Sequence, residues 1–91
     1  MDINSIQEGV IAITSKTLNI DVNKISPDSN FAEHLGADSL DQVELIMEIE
    51  REFTIDIPDV DASKITTITE AVKYIHSKLS PTGSAAPEVV S

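Results

Sequence analysis

A chain of 91 residues without cysteine makes one small domain that has no disulfide framework, no thiolate metal site and no thiol nucleophile of its own. Its formal net charge of −10 is local: positions 28–61 carry eleven acids against the single base Arg51, and the other acids and lysines cancel. Such a field repels nucleic acid and anionic membrane and draws in basic protein surfaces, and no apolar run approaches the length of a membrane span. Nucleic-acid binding and membrane insertion are set aside. With no leader at its start, the chain reads as a soluble protein of the cell interior, or as the mature form of an imported one.

Ile3, Ile6, Val10, Ile13 and Leu18 recur at near-helical spacing, which predicts a first amphipathic helix over 3–18. Ser5-x-x-Glu8 offers a capping box that would move its start inward, and Asn19 is a plausible stop because Asn tolerates the left-handed conformation. Positions 19–38 then form a long connection with turn chemistry at Ser26-Pro27-Asp28-Ser29-Asn30. Ile20, Val22, Ile25, Phe31 and Leu35 are spaced through it as anchors to the core. A connection of this length in a small domain is uncommon and often functional.

Leu35-Gly36-Ala37-Asp38-Ser39-Leu40-Asp41 is the most informative stretch. Asp38 is a good N-cap, and Asp41 falls where a carboxylate reaches back to free backbone donors. Gly36 and Ala37 are small and leave the approach to Ser39 open. Ser39 is then an exposed hydroxyl at a helix N-terminus, where unpaired N–H groups and the macrodipole favour a negatively charged substituent such as a phosphodiester. A plainer reading is that Ser39 only helps to start the helix.

That second helix is predicted from Ser39 to about Phe53. Leu40, Val43, Ile46, Met47, Glu50 and Phe53 follow one face, with Leu45 and Ile49 widening it. Asp41, Glu44, Glu48 and Glu52 form an acidic stripe beside it, with no lysine to relieve their repulsion. A solvated face would explain the stripe; its start at Ser39 and the nearby flexible Met47 suit a docking surface instead. Pro58 sets a boundary, Asp59 to Lys64 suits one short helical segment, and Thr67-x-x-Glu70 is a capping box before a last helix over 68–79. Ile68, Ala71, Val72, Ile75 and Leu79 are its inward face. Residues 80–91 read as a disordered tail. The expected architecture is all-α: a four-helix bundle over 1–79, with three longer helices, one short one and a long first loop.

Other chemistries fit poorly. Asp56, Asp59 and Asp61 lack the loop pattern and terminal Glu of a calcium site, so no specific metal site is expected, only loose divalent-ion binding to the acidic helix. His34 and His76 stand far apart without a ligand pattern. A Ser/His/Asp hydrolase assembled around Ser39 lacks a nucleophile elbow, and its acidic surroundings oppose an oxyanion. The chain is not expected to be an enzyme.

Leu35-Gly-Ala-Asp-Ser-Leu-Asp, followed by Val43-Glu-Leu-Ile-Met, Glu52-Phe53, Ile57-Pro58-Asp59 and Lys64-Ile65-Thr66-Thr67, with Phe31 before and Tyr74 after, closely resembles the acyl carrier proteins of dissociated (type II) fatty-acid synthesis. The resemblance covers about residues 3–79. It implies a four-helix bundle with 4′-phosphopantetheine attached to Ser39 from coenzyme A by a phosphopantetheinyl transferase. The arm ends in the thiol that this chain lacks, and it holds acyl groups as thioesters while other enzymes do the chemistry. The resemblance also implies a partner-facing set of Asp38, Leu40, Asp41, Glu44, Met47, Glu48 and Glu50, met by basic patches on fatty-acid synthesis enzymes and acyltransferases. An acyl pocket is expected around Phe31, Val43, Ile46, Met47, Ile57, Ile65, Ile68 and Ile75. A monomer in the bacterial cytoplasm, or in an organelle interior, is expected. His34, where the family often has an acid, and Arg51, within a usually acidic run, both weaken the local negative field. Two alternatives stay open: a stand-alone carrier for a polyketide, peptide or lipid-modification pathway, and an unmodified acidic docking module.

Overall fold

In the computed structural model, which describes residues 2–79, four α-helices follow one another: α1 (Ile3–Leu18), α2 (Ser39–Phe53), the single turn α3 (Asp59–Ala62) and α4 (Ile68–Leu79). Among the described residues there is no strand, only an isolated antiparallel bridge between Asn30 and Thr67. The expected tail at 80–91 lies outside the described residues.

Each long helix begins on a side-chain cap. α1 starts on Asp2 rather than on the alternative Ser5, because the Asp2 carboxylate accepts the Ser5 N–H at 2.8 Å. Asn19 ends α1 in the left-handed conformation, with φ of 59°. α2 starts on a complete capping box between Asp38 and Asp41. At α4 the expected box is only half made. The Thr67 hydroxyl accepts from the Glu70 N–H at 3.2 Å, but the Glu70 carboxylate turns to the N–H and hydroxyl of Thr66.

α1 packs on α4 and on α2, and the core runs through Ile6, Val10, Leu45, Ile49, Phe53, Ile68, Val72 and Ile75, all buried. The inward face of α2 is therefore Leu45, Ile49 and Phe53, and the expected phase was about a third of a turn off. Leu40, Val43 and Met47 lie on the outside. Gly9 helps to fix the phase: a Cβ there would stand 2.9 Å from Cζ of Phe53, so the missing side chain lets the ring seat against α1.

The connection between α1 and α2 is ordered by its ends. A 3₁₀ turn at Val22–Lys24, not foreseen, starts where the Asp21 carboxylate accepts the Asn23 N–H. Ile25 and Phe31 are buried as anchors, whereas Val22 is exposed. Phe31 N–H donates to the Thr66 carbonyl at 2.9 Å and the Thr69 hydroxyl to the Pro27 carbonyl at 2.7 Å, so the loop is tied to the start of α4. The turn that follows is capped from both sides. The Asn30 side chain accepts from Ala32 and Glu33, and His34 Nδ1 accepts the Asn30 N–H at 2.7 Å. This delivers the chain to Gly36, whose φ of +73° favours glycine.

Candidate functional site

Ser39 is the first residue of α2 and is exposed. Its setting is built by its neighbours. Ala37 is buried and its N–H donates to the Phe31 carbonyl at 2.8 Å, which fixes the backbone two residues before the serine. The Asp38 carboxylate accepts the Asp41 N–H at 2.9 Å, and Asp41 accepts the Asp38 N–H at 3.2 Å. Both carboxylates are thus used to hold the helix start. The first intrahelical bond runs from Gln42 N–H to the Asp38 carbonyl at 2.9 Å. The N–H groups of Ser39 and Leu40 precede it and have no partner within the helix.

Beside Ser39 opens a cleft of about 400 Å³ between α2 and α3. Val43, Ile46, Met47 and Glu50 form its α2 wall, and Ile57, Asp59, Ala62 and Ser63 the opposite one. Beneath it lies a void of about 20 Å³ lined by Phe31, Leu45, Ile49 and Ile65. Gln42, Ile46 and Ala62 line both spaces and form the partition between them.

Of the residues expected around an acyl chain, Val43, Ile46, Met47 and Ile57 line the cleft, and Phe31 and Ile65 line the void. Ile68 and Ile75 line neither. They are fully buried because this face of α4 is turned into the core where α1 packs. Gln42, Asp59, Ala62 and Ser63 were not anticipated. A polar or small residue facing an apolar stripe gives no local signal, although Pro58 did mark where the second wall begins.

The expected partner-facing residues separate into two groups. Leu40, Glu44 and Met47 are exposed, Asp41 and Glu48 are half-buried, and all lie on the outer side of α2. Glu50 differs: its carboxylate turns inward and accepts the Ile57 N–H at 2.7 Å, closing the end of the cleft. Arg51 is exposed and paired with Glu48 at 3.0 Å. Among the described residues no group of His, Asp and Glu is arranged to hold a metal ion, and no helix is long and apolar enough to cross a membrane.

Ser39 thus stands exposed on a capped helix start, beside a cleft lined by apolar and polar side chains alike and next to the acidic face of α2. The family described as phosphopantetheine attachment site matches residues 8–75. An acyl carrier protein from Chlorobium phaeobacteroides (strain DSM 266 / SMG 266 / 2430) is 49% identical over 73 residues, covering 80% of this chain and 94% of that protein. The chain belongs to the acyl carrier protein family. It carries a covalently attached 4′-phosphopantetheine, and its role is that of a carrier that works with synthase and transferase enzymes and with acyl chains.

Proposed function

We propose that Ser39 bears the 4′-phosphopantetheine and that the chain holds growing acyl groups for type II fatty-acid synthesis. The observation that carries this reading is the position of Ser39, exposed at the N-terminus of α2 and on the rim of the α2–α3 cleft. Ser39 contributes the oxygen of a phosphodiester, and the N–H groups of the first helical turn favour its negative charge. When bound, the group supplies the thiol that a chain with no cysteine lacks. Asp38 and Asp41 position the serine backbone through their reciprocal bonds. Val43, Ile46, Met47 and Ile57 offer an apolar surface next to the attachment point, where the first carbons of an acyl chain leave water.

Docking falls to Leu40, Asp41, Glu44, Met47 and Glu48, an acidic face with apolar side chains at its centre. Basic patches on the phosphopantetheinyl transferase, synthases and acyltransferases complement it. Asp38 and Glu50 complete the set at its edges, each with one carboxylate oxygen taken up by a backbone N–H. The likeness to the Chlorobium acyl carrier protein supports the acyl-carrying role.

Intact mass before and after incubation with coenzyme A, magnesium and a phosphopantetheinyl transferase tests the attachment. Wild type should gain one phosphopantetheine and Ser39→Ala none. No gain on folded wild type, with the transferase active on a control, would favour the unmodified docking module. Acceptance of the loaded protein by a fatty-acid condensing enzyme, and refusal by a polyketide one, tests the pathway.

A further inference from the structure

One wall of the cleft meets the core through few side chains: Ile57 and Ile65 at its ends and the half-buried Ala62 between them. α3 buries none of its residues, Pro58 before it makes no side-chain cap bond, and Val60 lies exposed. The segment is anchored at its ends by the buried Ile57 and Ile65. Between them it is tied sideways to α4, where the Tyr74 hydroxyl donates to the Asp61 carboxylate at 2.7 Å. Asp61 directly precedes Ala62, which with Gln42 and Ile46 separates the cleft from the void beneath it. An outward movement of α3 withdraws Ala62 and joins the two spaces. Two side-chain bonds resist such a movement: Glu50 holds the Ile57 N–H before α3, and Tyr74 holds α3 itself through Asp61.

Tyr74 is suited to this task. Burial, followed by the Asp61 carboxylate and the charges of Asp56 and Glu50, pushes its hydroxyl above the ordinary tyrosine range, so it stays a donor. Lys78 Nζ lies 5.4 Å from the ring centroid and helps to fix the ring. We propose that the Tyr74–Asp61 bond is a latch on α3 that sets how far an acyl chain can pass from the cleft into the bundle, making Tyr74 and Asp61 positioning residues for chain length. This rests on the reading of the α2–α3 cleft as the acyl site.

The latch is tested first on the unmodified protein, by amide hydrogen exchange across 59–63 in wild type, Tyr74→Phe, Asp61→Ala and Asp61→Asn. The Phe and Ala variants should open this segment about fivefold more often, the effect of one net hydrogen bond, while α1 amides keep their protection. Asp61→Asn keeps an oxygen acceptor and should restore most of the protection. Unchanged exchange in Tyr74→Phe, or an Asn variant as loose as the Ala one, overturns the latch.

The second arm loads octanoyl and dodecanoyl groups and follows thioester cleavage by hydroxylamine. Wild type should protect the shorter chain better, and Tyr74→Phe should narrow the gap. If wild type protects neither chain, the acyl reading of the cleft falls and the chain-length role with it. If wild type discriminates and Tyr74→Phe discriminates equally, the cleft stands and the latch proposal alone fails.

Discussion

Where α1 packs on α4, Ile6, Val10, Ile68 and Ile75 have no exposed surface, whereas around the α2–α3 cleft Leu40, Val43, Met47 and Val60 are 75%, 54%, 50% and 69% exposed. The first region removes whole aliphatic side chains from water, each contributing on the order of 1.5–3 kcal/mol. The second is anchored by Ile57 and Ile65 at its ends and otherwise held by single side-chain bonds, from Glu50 to the Ile57 backbone and from Tyr74 to Asp61. Stability and function are thus placed on different sides of a bundle that has little surface to bury. A carrier must release what it holds, and a wall fastened by a few hydrogen bonds opens at far lower free energy than a packed aliphatic seam.

The largest test of this division compares two truncations. Ile75→Ala removes a fully buried side chain from the seam and should lower unfolding stability by about 2–5 kcal/mol in denaturant titration. Val43→Ala, on the cleft wall, should change stability by no more than about 0.5 kcal/mol while weakening protection of a bound acyl chain. Comparable losses of stability from both would show that the cleft wall is part of the structural core.

A smaller effect separates the two regions by pH. The caps of α1 and α4 hold carboxylates below their ordinary values: Asp2 by the backbone N–H and then the side chain of Ser5, Glu70 by the hydroxyl and then the backbone N–H of Thr66. Their contribution is present above the unfolded values of 3.8 and 4.5 and is lost as pH falls through the lower folded ones. Tyr74 has the opposite sign. Its folded value is raised, so its contribution is complete below the ordinary 10.0 and is lost as pH rises beyond it toward the folded value. Acid should therefore fray the scaffold helices and alkali should release α3. Amide exchange resolved by residue is the measurement, and Tyr74→Phe should remove the alkaline loosening of 59–63 while leaving the acid limb in place. Alkaline loosening that persists in Tyr74→Phe would assign it to another group.

How much of this was legible in the sequence depended on how far apart the interacting residues lie. The start of α2 and the exposed Ser39 followed from the reciprocal spacing of Asp38 and Asp41, and the end of α1 from Asn19. Those are local signals, settled within one turn. The inner face of α2 was not legible, because Leu40, Val43, Leu45, Ile46, Met47, Ile49 and Phe53 cover most of its circumference. The choice among them was made across the bundle, where Gly9 receives the Phe53 ring. Glu50 looked like one more acid on a docking face, but its partner is the backbone of Ile57, seven residues on. The Asp61–Tyr74 bond spans thirteen residues and joins two helices, so no periodicity could announce it.

The smallest expected effect concerns Arg51, which the sequence marked as an interruption of the acidic run. It pairs with Glu48 at the surface, alongside Met47, Glu44 and Lys16 in a groove between α1 and α2. An exposed pair of this kind contributes between nothing and about 1 kcal/mol, so Arg51→Glu should leave the fold nearly as stable. It adds two negative units to a chain of formal charge −10 and frees Glu48 for an incoming cation. Binding to an enzyme with a basic docking patch should tighten at low salt, mainly through the association rate. The gain should fade as the screening length shrinks from about 30 Å at 0.01 M salt to about 8 Å at 0.15 M. A gain that survives salt would mean that Glu48 makes a buried contact in the complex. No gain at any salt would place the Arg51 side chain away from the docking face, leaving Glu44 and Met47 as the groove residues that reach it.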